Sequence, residues 1–181
     1  PKAAKGTYAG ARWSEADWRK SLHHTRDQLA LLSKPKITVK PGKYRAYFAP
    51  TAFANLCGML HWGALSAAAW KQGHSAFRKF ADGELKLSPL FTAGENFGLG
   101  LTPRFNELGE VAPARISLIE KGELKSLLVS SRTAKEFGLE SNFASSSESP
   151  RALDVQPGTL DEKDALKELG TGLYLANLHY L

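Results

Sequence analysis

The first ordered pattern of apolar positions lies near the N-terminus, where Trp18, Leu22, Thr25, Leu29 and Leu32 recur at the spacing of one helical stripe. Ser14 stands where an N-cap belongs, Asp17 completes a capping-box-like S-x-x-D, and Trp13 with Trp18 fits the apolar pair that staples a helix start. These features predict an amphipathic helix that buries its stripe and ends at Lys34-Pro35. Residues 1–12 are small, basic and rich in Gly and Ala, with no apolar period, and read as a linker.

Pro41-Gly42 marks a turn between Ile37-Thr38-Val39 and the run Tyr44 to Phe48, a hairpin-like start to a sheet. Pro50-Thr51 opens a second helix that runs to Gln72, is stopped by Gly73 and is apolar nearly all round, so burial is expected. Beyond it the chain turns β-rich. Ser88 to Phe91 and Asn96 to Thr102 are candidate strands, and Ala114 to Glu120 with Glu123 to Ser130 form a hairpin around Lys121-Gly122. A short helix from Ser131 to Phe137 closes on Gly138, Ser145 to Pro150 is a polar loop, and Ala152 to Gln156 is a strand. Thr159 caps a helix to Leu169, and Leu173 to Leu181 is a last strand. The predicted class is α+β: a mostly antiparallel, barrel-like sheet domain with a long buried helix and an N-terminal amphipathic helix.

Composition narrows this. The chain has 181 residues, 43% hydrophobic and 23% charged, which suits one folded core with an appendage rather than disorder. A single cysteine, Cys57, excludes a disulfide framework and fits a reducing compartment best. The longest apolar stretch, Ala52 to Trp70, is interrupted by Asn55, Gly58, His61, Gly63 and Ser66, so no membrane helix is predicted. The chain opens on Pro1 without a Met and closes in a strand-like run, which reads as a cut through a domain. The formal charge of +6 is uneven: residues 1–45 hold eleven basic and three acidic side chains, and the remainder is weakly acidic. With Trp13 and Trp18, that basic segment leaves open a nucleic-acid-associated module, though a solvated helix face and linker is the preferred reading of the charge.

Few residues carry chemistry. Cys57 and His61, four apart on the expected second helix, share a face and are weak metal-ligand candidates, with His74 and His179 the only unassigned histidines to complete a set. The neighbours His23 and His24 cannot both face one metal. The chain has no His-Glu-x-x-His and no G-x-S-x-G elbow, and apolar surroundings leave Cys57 inert unless it works with His61 in a hydrolase site of its own. Gly94, Gly98 and Gly100 do not form a phosphate loop and instead fit close strand packing or a bulge. The carboxylates in Asn106-Glu107-Leu108-Gly109-Glu110 sit on a turn between strands and are expected to be solvated. By motif alone there is no catalytic machinery.

The order of short segments does carry a resemblance. Pro41-Gly42-Lys43-Tyr44 leads to Phe48-Ala49-Pro50, a long helix, Gly73-His74-Ser75-Ala76-Phe77 and Leu87-Ser88-Pro89. Asn106 to Pro113 then precedes the hairpin with its turn Glu120-Lys121-Gly122, followed by Arg132 to Gly138, Val155-Gln156-Pro157-Gly158 and Gly172-Leu173-Tyr174. This succession, over residues 36 to 181, resembles the C-terminal domain of the TldD/PmbA family. Residues 1–35 would then be a basic linker and helix, and 36–181 the family domain, truncated at its C-terminal end.

The resemblance implies a domain from a two-subunit cytoplasmic zinc peptidase acting on unfolded or extended peptides. One subunit of that family carries His-Glu-x-x-x-His and a later Glu on the long helix; its partner shares the fold without them. Anchored on Gly73 and Phe77, the two histidine positions fall on Gly58 and Gly63, the motif Glu on Met59 and the later Glu on Ser66. His61 matches neither histidine, and none of the four residues is a zinc ligand or general base. The resemblance therefore implies the metal-free TldE/PmbA type, with zinc in a TldD-like homologue as heterodimeric partner, or else a homodimer, and no cofactor in this chain.

Overall fold

In the computed structural model the described residues are 3–6, 8, 10 and 12–178. The chain forms two units, one from Pro1–Leu56 with Leu160–Leu181 and the other from Cys57–Thr159.

The first unit opens with α1 (Glu15–Leu32), capped as expected: the Ser14 Oγ accepts from the Asp17 amide, and the Trp13 and Trp18 rings lie 5.8 Å apart. The expected burial of its stripe is not seen. Trp13 is 64% exposed, and Trp18, Leu22, Leu29 and Leu32 also face outward; the helix instead turns Ser21, Thr25 and Gln28 toward Ala49, Pro50 and Thr51. The aligned leucines stay at the surface, and the Trp13 ring packs against Tyr8 and Trp18.

The expected hairpin at Pro41-Gly42 is also absent. Ile37 is 87% exposed, and only β1 (Ala46–Phe48) forms, in parallel with β6 (Leu173–Leu175) near the other end of the chain. Tyr47 and Tyr174 stack across this ladder at 5.5 Å. The β6 partner lies far along the chain, so local turn chemistry could not reveal it. The expected last strand is shorter than predicted, and its final residues, 179–181, lie outside the described residues. The helix before it begins with a 3₁₀ turn at Glu162–Asp164, capped by Asp161 rather than Thr159, and continues as a short α-helix at Ala165–Leu169.

The predicted long buried helix is three pieces: α2 (Pro50–Gly58), one 3₁₀ turn (Met59–His61) and α3 (Ala67–Lys71). Gly58 weakens the helix interior, Gly63 turns left-handed at φ 76°, and Ser66 caps a new helix by accepting from the Ala69 amide. The break also exposes part of the apolar surface, with Trp62 66% exposed. The predicted ends hold, since Pro50 opens α2 and Gly73 follows α3 at φ 82°. A one-turn helix, α4 (Arg78–Ala81), comes next.

The second unit is built on an open four-stranded antiparallel sheet in the order β4-β3-β2-β5, and no barrel closes among the described residues. Its strands are β2 (Ala93–Asn96), β3 (Arg115–Glu120), β4 (Glu123–Leu124) and β5 (Leu153–Val155), with α5 (Ser131–Phe137) between β4 and β5. Mixed helix and antiparallel sheet agree with the expected class, but strands this short cannot wrap into a barrel. The hairpin turn at Lys121 and Gly122 has positive φ at both residues, as its sequence predicts. The predicted strand at Asn96 to Thr102 is a 3₁₀ turn that ends on left-handed Gly100, and Ser88 to Phe91 is a turn. Gly94 is required by the close approach of β2 and β3: a Cβ there would run into the Ile116 carbonyl, and the register shifts beside it. Leu60, Leu65, Phe80, Leu118, Ile119 and Leu128 form the core.

Candidate functional site

The four positions that correspond to the metal motif sit on the break between α2 and α3. Gly58 ends α2, Met59 starts the 3₁₀ turn and is exposed, and Gly63 makes the left-handed bend. Ser66 is buried. None of these offers a nitrogen, carboxylate or thiolate donor, so the residues present do not fit a zinc ion there.

Cys57 and His61 are not held one helical turn apart on a shared α-helical face, because the α-helix ends between them. His61 is exposed and its Nδ1 donates to the Gly58 carbonyl at 3.2 Å. Burial pushes the Cys57 thiol up, as its apolar surroundings predict. His23, His24 and His74 are exposed. His179 lies outside the described residues. Among the described residues no three His, Cys, Asp or Glu side chains group where a metal ion could be held.

What organises this region is a carboxylate that the sequence does not mark. Glu148, in the loop read as polar, is 1% exposed. Its Oε2 accepts from the Ser66 Oγ at 2.6 Å and the Ala68 amide at 2.8 Å, and its Oε1 accepts from the Ser130 amide at 2.8 Å. Ser66 and Ser130 are themselves the N-caps of α3 and α5, so one carboxylate ties together the starts of two helices. Burial pushes the Glu148 carboxyl up, but hydrogen bonds from Ser66, Thr133, Ala68 and Ser130 outweigh it and hold the group below the usual carboxylate range. The surrounding backbone is pinned as well: Leu128 donates to the Leu65 carbonyl, Ala67 donates to the Leu128 carbonyl, and the Ser149 hydroxyl donates to the His61 carbonyl. The partners of Glu148 lie 82 and 18 residues away, which is why local sequence gives no signal.

A second buried polar residue shapes the neighbouring loop. The Asn106 Oδ1 accepts from the Leu108 and Glu110 amides, and its Nδ2 donates to Glu110 and to the Ala144 carbonyl. The carboxylates there do face solvent, as expected. Glu107 and Glu110 are each held below the usual carboxylate range, Glu107 chiefly by Ser146 and Glu110 chiefly by Ser131 and Asn106.

Among solved structures, the chain is similar to a protein described as a modulator of DNA gyrase from Thermotoga maritima, with 24% identity, a TM-score of 0.66, and coverage of 80% of this chain and 34% of that one. It is similar to TldE from Thermococcus kodakarensis, with 18% identity, a TM-score of 0.68, and coverage of 91% and 39%. A further protein described as a modulator of DNA gyrase, from Bacteroides thetaiotaomicron, has 22% identity, a TM-score of 0.55, and coverage of 77% and 30%. At these identities the likeness speaks for the fold alone, and the chain spans about a third of the length of the structures it matches. No curated protein matches it. The family described as the PmbA/TldA metallopeptidase C-terminal domain matches residues 41–181, and the chain therefore belongs to the TldD/PmbA family.

Proposed function

We propose that this chain is the C-terminal domain of a non-catalytic subunit that pairs with a zinc-bearing homologue in the cytoplasm to process extended or unfolded peptides. The observation that carries this reading is the state of Ser66. Where the resemblance puts a metal-binding carboxylate, this chain has a buried serine spent on capping α3 and on Glu148. Gly58 and Gly63 likewise break the helix that would present the rest of the motif. The region serves as scaffold, and the metal and the hydrolytic chemistry belong to the partner.

The reading is tested by copurifying the protein with a zinc-bearing homologue and assaying peptide cleavage by the pair and by each half. Cleavage by the pair, with zinc found only in the homologue, is expected. Stoichiometric zinc on this chain alone would overturn the reading.

A further inference from the structure

One face of the four-stranded sheet is polar throughout and unrelated to the Glu148 region. The register sets Ser117, Gly94 and Asp154 side by side across β3, β2 and β5, with Arg115 beside Asn96 one step along. Side chains alternate along a strand, so these residues share a face, and Gly94 leaves its centre bare. The result is a groove of about 220 Å³.

The polar groups in this groove are only partly matched to one another: the Ser117 hydroxyl donates to the exposed Glu120 carboxylate at 2.9 Å, while others keep open valences. Asn96 is 4% exposed; its Nδ2 donates to the Asp154 Oδ2 at 2.8 Å, while its own Oδ1 is buried without a partner. That amide fixes Asp154 in place and leaves the other carboxylate oxygen free. The Arg115 guanidinium forms no hydrogen bond or ion pair among the described residues. Asp154 and Arg115 stand two strands and two residues apart, roughly 12 Å across the backbone. A fixed anion held by Asn96 and an unpaired guanidinium, at opposite corners of a floor that Gly94 leaves low, are complementary to a small molecule carrying both charges.

We propose that this groove binds a small zwitterion, a free amino acid or a dipeptide, with its carboxylate on Arg115 and its ammonium on Asp154. Guanidinium and carboxylate form a charge-assisted, two-pronged pair, which sets the orientation. The site does not depend on the subunit role proposed above.

The test is an NMR titration of this chain with glycine and with alanyl-alanine, against N-acetylalanine, which lacks the ammonium, and alaninamide, which lacks the carboxylate. At least one zwitterion should shift the Gly94 and Asn96 amide resonances at about 1 mM, with both singly charged probes binding roughly tenfold more weakly. Arg115→Gln and Asp154→Asn should each weaken the zwitterion by a similar factor; Arg115 is exposed, so its variant keeps the fold. Shifts with alanyl-alanine alone support a dipeptide ligand, and shifts with glycine support an amino acid. No shift with either zwitterion, or equal binding of a singly charged probe, overturns the proposal.

Discussion

The Ser66 hydroxyl donates to the Glu148 carboxylate at 2.6 Å across 82 residues of chain, and the same hydroxyl accepts from the Ala69 amide. One side chain thus starts a helix and anchors a distant loop. Ser66→Ala removes both bonds and should destabilise the protein by about 2 kcal/mol, whereas Glu148→Ala, which strands the buried Ser66 and Ser130 donors and the half-buried Ala68 amide, should cost about 3 kcal/mol or more. Urea unfolding of the two variants checks the order, and a Glu148→Ala protein as stable as the wild type would contradict the role given to this carboxylate.

The same carboxylate predicts an acid-labile fold. Its folded pKa lies below its unfolded value, so its contribution is fully present above the ordinary glutamate range and is lost as the pH falls through the folded pKa. Stability should therefore decline below about pH 4.3, and Glu148→Gln should flatten that decline while lowering stability at neutral pH. Unfolding measured from neutral to acid pH on both proteins tests the sign.

Two glycines should respond oppositely to alanine. Gly58 has helical angles and nothing within 4 Å of an added Cβ, so Gly58→Ala should stabilise by about 0.5 kcal/mol. At Gly94 the new methyl would meet the Ile116 carbonyl, so Gly94→Ala should cost about 2 kcal/mol and part β2 from β3. Thermal unfolding of the pair is the measurement.

Asn106 is the peg of the loop that carries Glu107 and Glu110. Asn106→Ala removes bonds to two amides and to the Ala144 carbonyl, and should destabilise by about 2 kcal/mol. Hydrogen exchange at Leu108 and Glu110 should quicken well beyond the change seen in the core strands.

Burial raises the Cys57 thiol above its usual value, which leaves little thiolate at neutral pH. Alkylation should be slower than for a free thiol and should accelerate only in more alkaline solution. A rapid reaction at neutral pH would revive a catalytic role for Cys57.

Much of the local structure is written in short stretches of the chain. Ser14 capping α1, Pro50 opening α2, the Lys121-Gly122 turn and Gly138 closing α5 each depend on neighbours a few residues away, so the sequence alone specifies them. The order of short motifs also sufficed to place the family. What the sequence left open depended on partners far along the chain. Tertiary structure joined β1 to β6, divided the expected long helix where Ser66 could pair with Leu128 and Glu148, and buried a glutamate from a serine-rich loop. A carboxylate is stable in such a place only when distant donors converge on it, and that convergence is decided by the packed fold.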